Sequence, residues 1–232
     1  MNSPVLPSLD ILQEAIEEAG RLALDLGPRN SSRKPDGTWV TEADLAVSRL
    51  LKGSLKRVCP EAEYLDEEQG GRIGDGLGWV VDPIDGTTNF KRGDDRWCVS
   101  VALMQGGLPV IGMIHQPSLG RTWAVGPNER RYAVDGPGDV GILIGGRLPK
   151  SVPRWWRMIR ATGHGRSVRM TGSAALDLVD VACGRAERLV GFGLSLWDYA
   201  AGWLLVESGG GEFHRWETGK GWDLLVTHAC TP

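Results

Sequence analysis

Residues 79–90 read Trp79-Val80-Val81-Asp82-Pro83-Ile84-Asp85-Gly86-Thr87-Thr88-Asn89-Phe90. The apolar run of Trp79, Val80 and Val81 has the make-up of a buried strand. It delivers a carboxylate, Asp82. Pro83 has no N–H to give to a ladder and is expected to stop the strand pairing. Asp85 follows three residues after Asp82, and Gly86-Thr87-Thr88 turn the chain. Two carboxylates at the end of a buried strand are costly unless positive charge sits between them. Oxygen-only donors of this kind suit magnesium, and the Gly-Thr-Thr turn offers N–H groups and hydroxyls to an anion. One reading is a metal-and-phosphate site. The other is an Asp-Pro turn with a glycine exit, a common device with no chemistry attached.

The 232 residues allow one compact domain or two closely packed halves. Lys and Arg number 26 against 29 Asp and Glu, so there is no basic excess to bind nucleic acid by bulk charge. The longest apolar runs fall short of a bilayer span, and the N-terminus lacks the basic and apolar regions of a secretory signal. Cys59, Cys98, Cys183 and Cys230 are scattered, as in a reduced, cytoplasmic protein, and they form no zinc pattern. The ten tryptophans fit core packing.

Working outward, Leu9 to Leu26 has helical spacing, with Leu12, Ile16, Ala19, Ala23 and Leu26 on one face. Asp10 is the expected cap, and Gly27-Pro28 the stop. Asn30 to Thr38 is a polar loop with a Pro-Asp-Gly turn. A second helix runs from Thr41 to about Val58, with Leu45, Leu50, Leu51, Leu55 and Val58 apolar. Thr41 and Asp44 have capping-box spacing. Tyr64 to Glu68 is a short strand ending in three acids, Asp66, Glu67 and Glu68. From Arg96 to Val134 the pattern alternates as strands, with Gly106-Gly107 as a hairpin turn. Lys91 and Arg92 fit either anion steering or a solvated turn. Gly136-Pro137-Gly138 marks a boundary, giving halves 1–135 and 136–232. Val140 to Ile144 reads as a strand. Pro153 to Arg160 is basic and aromatic, suiting a partner surface or a helix with snorkelling arginines. His164 sits in a glycine-flanked loop. Gly172 to Arg185 starts with small residues and continues as a helix, Leu189 to Phe192 is a strand, and Trp197-Asp198 opens another helix with Asp198 as its expected N-cap. Phe213 to His228 holds two more strands.

Five segments in order, V-T-E-A-D, D-E-E, D-P-I-D-G-T-T-N-F, G-S-A-A-L-D-L and W-D-Y-A-A-G, resemble the motifs of the inositol monophosphatase family, magnesium-dependent and lithium-sensitive phosphomonoesterases. The likeness spans Val40 to Gly211. It implies an α+β fold of alternating helix and sheet layers. It implies that Glu67, Asp82 and the Ile84 carbonyl hold one magnesium and that Asp82, Asp85 and Asp198 hold a second, with two or three ions per site. It further implies that Asp44 and Thr87, with Glu67, manage the attacking water. Gly86 and Thr87 would hold phosphate oxygens, and Gly172, Ser173, Ala174 and Asp198 would meet the rest of the substrate. Asp66 stands where the family has glycine, adding negative charge near the metals. By the same resemblance the substrate is a small phosphorylated metabolite, the assembly a homodimer, and the C-terminal part shorter than usual. Inositol-specific members carry an acid shortly before the W-D motif, whereas Leu189 to Gly193 has none. A sugar- or polyol-phosphate monoesterase is therefore expected. Histidinol-phosphate and 3′-phosphoadenosine 5′-phosphate phosphatases are the alternatives, along with a non-catalytic binding protein on the same fold.

Overall fold

The computed structural model describes residues 6–135, 138–146, 167–219 and 221–229. In chain order the elements are α1 (Leu9–Leu26), β1 (Ser32–Arg33), β2 (Trp39–Val40), α2 (Glu42–Val58), β3 (Glu63–Asp66), β4 (Gly70–Arg72), β5 (Leu77–Asp85) and α3 (Thr87–Arg92). There follow β6 (Cys98–Gln105), β7 (Leu108–Gln116), β8 (Arg121–Gly126), β9 (Glu129–Arg131) and β10 (Val140–Gly146). The last are β11 (Val168–Arg169), α4 (Ala174–Ala182), β12 (Ala186–Leu194), α5 (Leu196–Ser208), β13 (Glu212–Thr218) and β14 (Gly221–Thr227).

Two sheets carry the architecture. One has seven strands in the order β4-β3-β5-β6-β7-β8-β9, the other five in the order β11-β10-β12-β14-β13. Strand alternation assigns the faces. Trp79 and Val81 of β5 join Val99, Val101 and Leu103 of β6 in a cluster with Leu12, Ile16, Val47 and Leu51 from α1 and α2. Val80 and Ala102 point the other way, into a cluster with α4, α5 and Leu143, Leu189 and Leu224 of the second sheet. Helix pair, sheet, helix pair and sheet therefore stack in turn, the layered α+β arrangement that the resemblance implies. Asp82 lies two residues beyond Val80 and shares its side, which turns its carboxylate toward the layer holding α5.

The local readings hold with four corrections. Ser8, not Asp10, precedes the first turn of α1, and no side chain caps it. Leu45 on α2 is exposed, because Ala43, Val47, Leu51 and Leu55 already fill the buried stripe. Pro83 interrupts the pairing of β5 with β6 but does not end it. The register shifts between Asp82 and Asp85 and resumes at Asp85 opposite Cys98, so the proline occupies a bulge. The N-cap of α5 is Ser195, and Asp198 is the third residue of its capping box. Pro153 to Arg160 and His164 lie outside the described residues. No described helix is long and apolar enough to cross a membrane.

Candidate functional site

Chain ends converge where β5 finishes. The tips of β3 and β5 and the starts of α2, α3 and α5 bring Glu67, Asp82, Asp85, Asp44, Thr87 and Asp198 to one region. One carboxylate oxygen from each of Asp82, Asp85 and Asp198 lies within 4.8 Å of the others. Glu67 stands outside that trio, but it lines the same cavity of about 530 Å3, together with Ile84, Gly86, Thr87 and Gly172.

The charges are unhappy without a cation. Burial, reinforced by Glu67, Asp85 and Asp198, pushes Asp82 well above the usual carboxylate range. Burial likewise raises Asp198, aided by Asp85 and Glu67. Burial brings Asp85 to about 6, even though hydrogen bonds from Ser173 and Ala175 pull it down. Oxygen-only donors clustered this tightly fit a hard divalent cation such as magnesium.

Asp44 divides its work between its two oxygens. Oδ2 accepts from the Thr41 N–H at 2.8 Å and from the Thr41 hydroxyl, completing the capping box of α2. Oδ1 lies 3.3 Å from Thr87 Oγ1. Thr87 Oγ1 is also 3.0 Å from the Ile84 carbonyl, and its single proton serves one of these acceptors at a time. Burial raises Asp44 to about 6. The cap expected from the spacing and the Thr87 partner implied by the resemblance are thus both present geometrically.

Gly86 is held at φ 89, and an added Cβ would stand 3.0 Å from the Arg96 carbonyl and 3.3 Å from the Gly172 carbonyl. Only glycine suits both the conformation and the space. This packing seats the Thr171–Ala174 stretch against the turn. Ser173 is buried, and its hydroxyl donates to Asp85 Oδ2. The Ala175 N–H reaches the same oxygen at 2.9 Å. The start of α4 is therefore tied to the acidic cluster. Gly172 and Ala174 line a second cavity of about 930 Å3, which shares Glu67, Asp85 and Asp198 with the first.

Asp66 does not add its charge to the cluster. It is fully buried, and its carboxylate accepts from the N–H groups of Glu68 at 2.7 Å and Gln69 at 3.0 Å and from the Tyr64 hydroxyl at 3.0 Å. It pins the turn that presents Glu67.

Three contributors escape sequence reading. Lys34, on the polar loop between β1 and β2, places Nζ 2.8 Å from Glu67 and 2.6 Å from Glu68. A lysine in a loop carries no signal of that reach. Glu68 is raised to about 7 by burial, against the pull of Lys34. Asn89 Nδ2 donates to the Arg96 and Thr171 carbonyls, both at 2.8 Å; its place inside the D-P-I-D-G-T-T-N-F string was the available hint. Arg96 Nη2 then pairs with Asp177 at 2.8 Å and Asp180 at 2.6 Å. Lys91 packs over the Trp39 ring, 2.9 Å from its centroid, docking β2 on α3.

The sequence matches the model of the inositol monophosphatase family over residues 8–230. It is 32% identical over 221 residues to the Nus factor SuhB of Xylella fastidiosa, covering 88% of this chain and 80% of that protein. It is 33% identical over 227 residues to an inositol-1-monophosphatase of Synechocystis, covering 88% and 77%. Among solved structures, the extragenic suppressor protein suhB of Bartonella henselae superposes with a TM-score of 0.81 at 28% identity, covering 95% of this chain and 93% of that one.

Proposed function

The chain belongs to the inositol monophosphatase family, and from this we propose that it is a magnesium-dependent phosphomonoesterase acting on a small sugar or polyol phosphate. The observation that carries the proposal is the trio of Asp82, Asp85 and Asp198 oxygens within 4.8 Å of one another, beside the Thr87–Asp44 pair. Divalent ions bound there supply charge neutralisation and a Lewis acid for phosphate oxygens and water. Asp82, Asp85 and Asp198 would hold one ion, and Glu67, Asp82 and the Ile84 carbonyl another. Asp44 Oδ1 orients the Thr87 hydroxyl, and the two together hold a water in position and take up its proton. The N–H groups of Gly86 and Thr87 hold phosphate oxygens as charge shifts in the transition state. Gly172 and Ala174 border the space for the leaving group, while Ser173 keeps Asp85 in place. Lys34 holds Glu67 and Glu68 in register when no ion balances them.

A role in binding another protein has its own support in relatives named Nus factor, and one experiment separates the two. Phosphate release is measured from inositol, fructose, histidinol and 3′-nucleotide phosphates, with magnesium and with chelator, for the parent and Asp82→Asn. The proposal expects magnesium-dependent release that Asp82→Asn abolishes with the fold intact. Near-normal turnover by Asp82→Asn would sink the site assignment. Release from no ester would favour the binding role.

A further inference from the structure

Trp39 of β2 is half-buried and lines the cavity of about 530 Å3 beside Thr87 and Thr88. Two cations from different elements meet its ring. Lys91 Nζ of α3 stands 2.9 Å from the ring centroid, and Arg33 Cζ of β1 stands 4.6 Å from it. Arg33 is the register partner of Trp39 across the β1–β2 pair. Lys91 follows Thr87 by four residues and shares its face of α3. The two charges are therefore closer together than the ~8 Å over which physiological salt screens. An indole attracts a cation but has no net charge, so the stack holds both cations without neutralising them.

Other cations around the site have acid partners. Lys34 bonds Glu67 and Glu68, Arg96 bonds Asp177 and Asp180, and the exposed Arg92 has Asp94 at 3.9 Å. Among the described residues, no carboxylate forms an ion pair with Arg33 or Lys91. Asp36, in the turn that joins β1 to β2, accepts from the N–H and hydroxyl of Thr38. Two like charges held side by side at the rim of a cavity are relieved by an anion. We propose that Arg33, Trp39 and Lys91 form a second anion subsite, which takes a second phosphate group of the substrate while the first lies at Gly86 and Thr87. This rests on the phosphatase reading and names a substrate class within it, sugar or polyol esters with two phosphates. A guanidinium offers paired N–H donors that match phosphate oxygens, and an ammonium adds a compact charge with three donors. The ring keeps both heads in place before the anion arrives, which lowers the cost of ordering two long side chains.

The test compares glucose 1,6-bisphosphate with its two monophosphates, glucose 1-phosphate and glucose 6-phosphate, on the parent and on the double variant Arg33→Gln with Lys91→Met, with magnesium present. Methionine keeps an apolar stem against the Trp39 ring. In the parent, KM for the bisphosphate should lie about 10-fold below that for either monophosphate, the scale of two ion pairs at a rim. The preference should shrink at high salt. In the double variant it should fall to about one, through a rise in KM for the bisphosphate. No preference in the parent, an unchanged preference in the variant, or an equal rise in KM for all three esters would overturn the proposal and leave the stack a support for the β1–β2 pair. Should the variant not fold, the parent decides: a preference at low salt that high salt removes supports the subsite, and its absence overturns it. If none of the three is cleaved while another phosphate ester is, the subsite fails alone. If no ester releases phosphate, the phosphatase reading itself fails.

Discussion

Replacing Asp85 by asparagine should stabilise the metal-free protein while removing its use for magnesium. Asp85 is 8% exposed and raised from 3.8 to about 6, chiefly by burial. A folded-state value above the unfolded one means that the ionised form is disfavoured by folding. Stability is then full below the unfolded value and is lost as pH rises through the folded value. The shift of about two units corresponds to about 3 kcal/mol at pH 8, and roughly half of that is already lost at pH 5. For a chain of this size 1 kcal/mol moves Tm by about 2–4 °C. In chelator at pH 8, Asp85→Asn should therefore melt about 6–12 °C above the parent, and the gap should narrow toward pH 4. The amide oxygen can still accept from Ser173 and Ala175, which keeps α4 seated. With saturating magnesium the order should reverse, because the parent gains binding free energy that the variant cannot. Calorimetric melts at pH 4, 5 and 8, with chelator and with magnesium, read all of this. A variant less stable than the parent in chelator at pH 8, or a gap that ignores pH, would refute the view that the cluster is held in electrostatic tension.

Lys34→Gln should tighten magnesium binding about three- to tenfold by titration calorimetry, since it removes a competing ammonium worth about 1 kcal/mol from Glu67 and Glu68; weaker binding would mean that the lysine helps to build the site. Arg96→Ala should cost about 3–5 kcal/mol by denaturant unfolding, because it strands the fully buried Asp177 beside Thr171. The double variant Arg96→Ala with Asp177→Asn should recover part of that loss, and no recovery would place the cost elsewhere.

Much of the local structure was legible because it follows from near-neighbour chemistry. Helix α1 occupies Leu9–Leu26 as its apolar spacing demands, and Gly27 ends it at φ 63. The β6–β7 hairpin turns at Gly106-Gly107, both at positive φ. Other positions failed for reasons of context. The periodicity that placed Leu45 on the buried face of α2 could not show that smaller residues fill the contact with α1. The rule that proline ends a strand missed the bulge, because pairing beyond Pro83 depends on β6. Asp66, read as extra charge near the metals, is consumed by its own turn.

The carboxylates of the candidate site stand in the chain as short motifs, and their residue types alone speak for a hard cation, since donor chemistry does not depend on folding. Distances do. Asp82 and Asp198 are over a hundred residues apart, and only the stacking of α5 against the face of β5 that carries Val80 brings them together. The same holds for Lys34 reaching Glu67 and for Arg96 reaching Asp177. Each is a contact between elements remote in sequence, set by which face a strand turns inward and which layer covers it. Local spacing has no term for that.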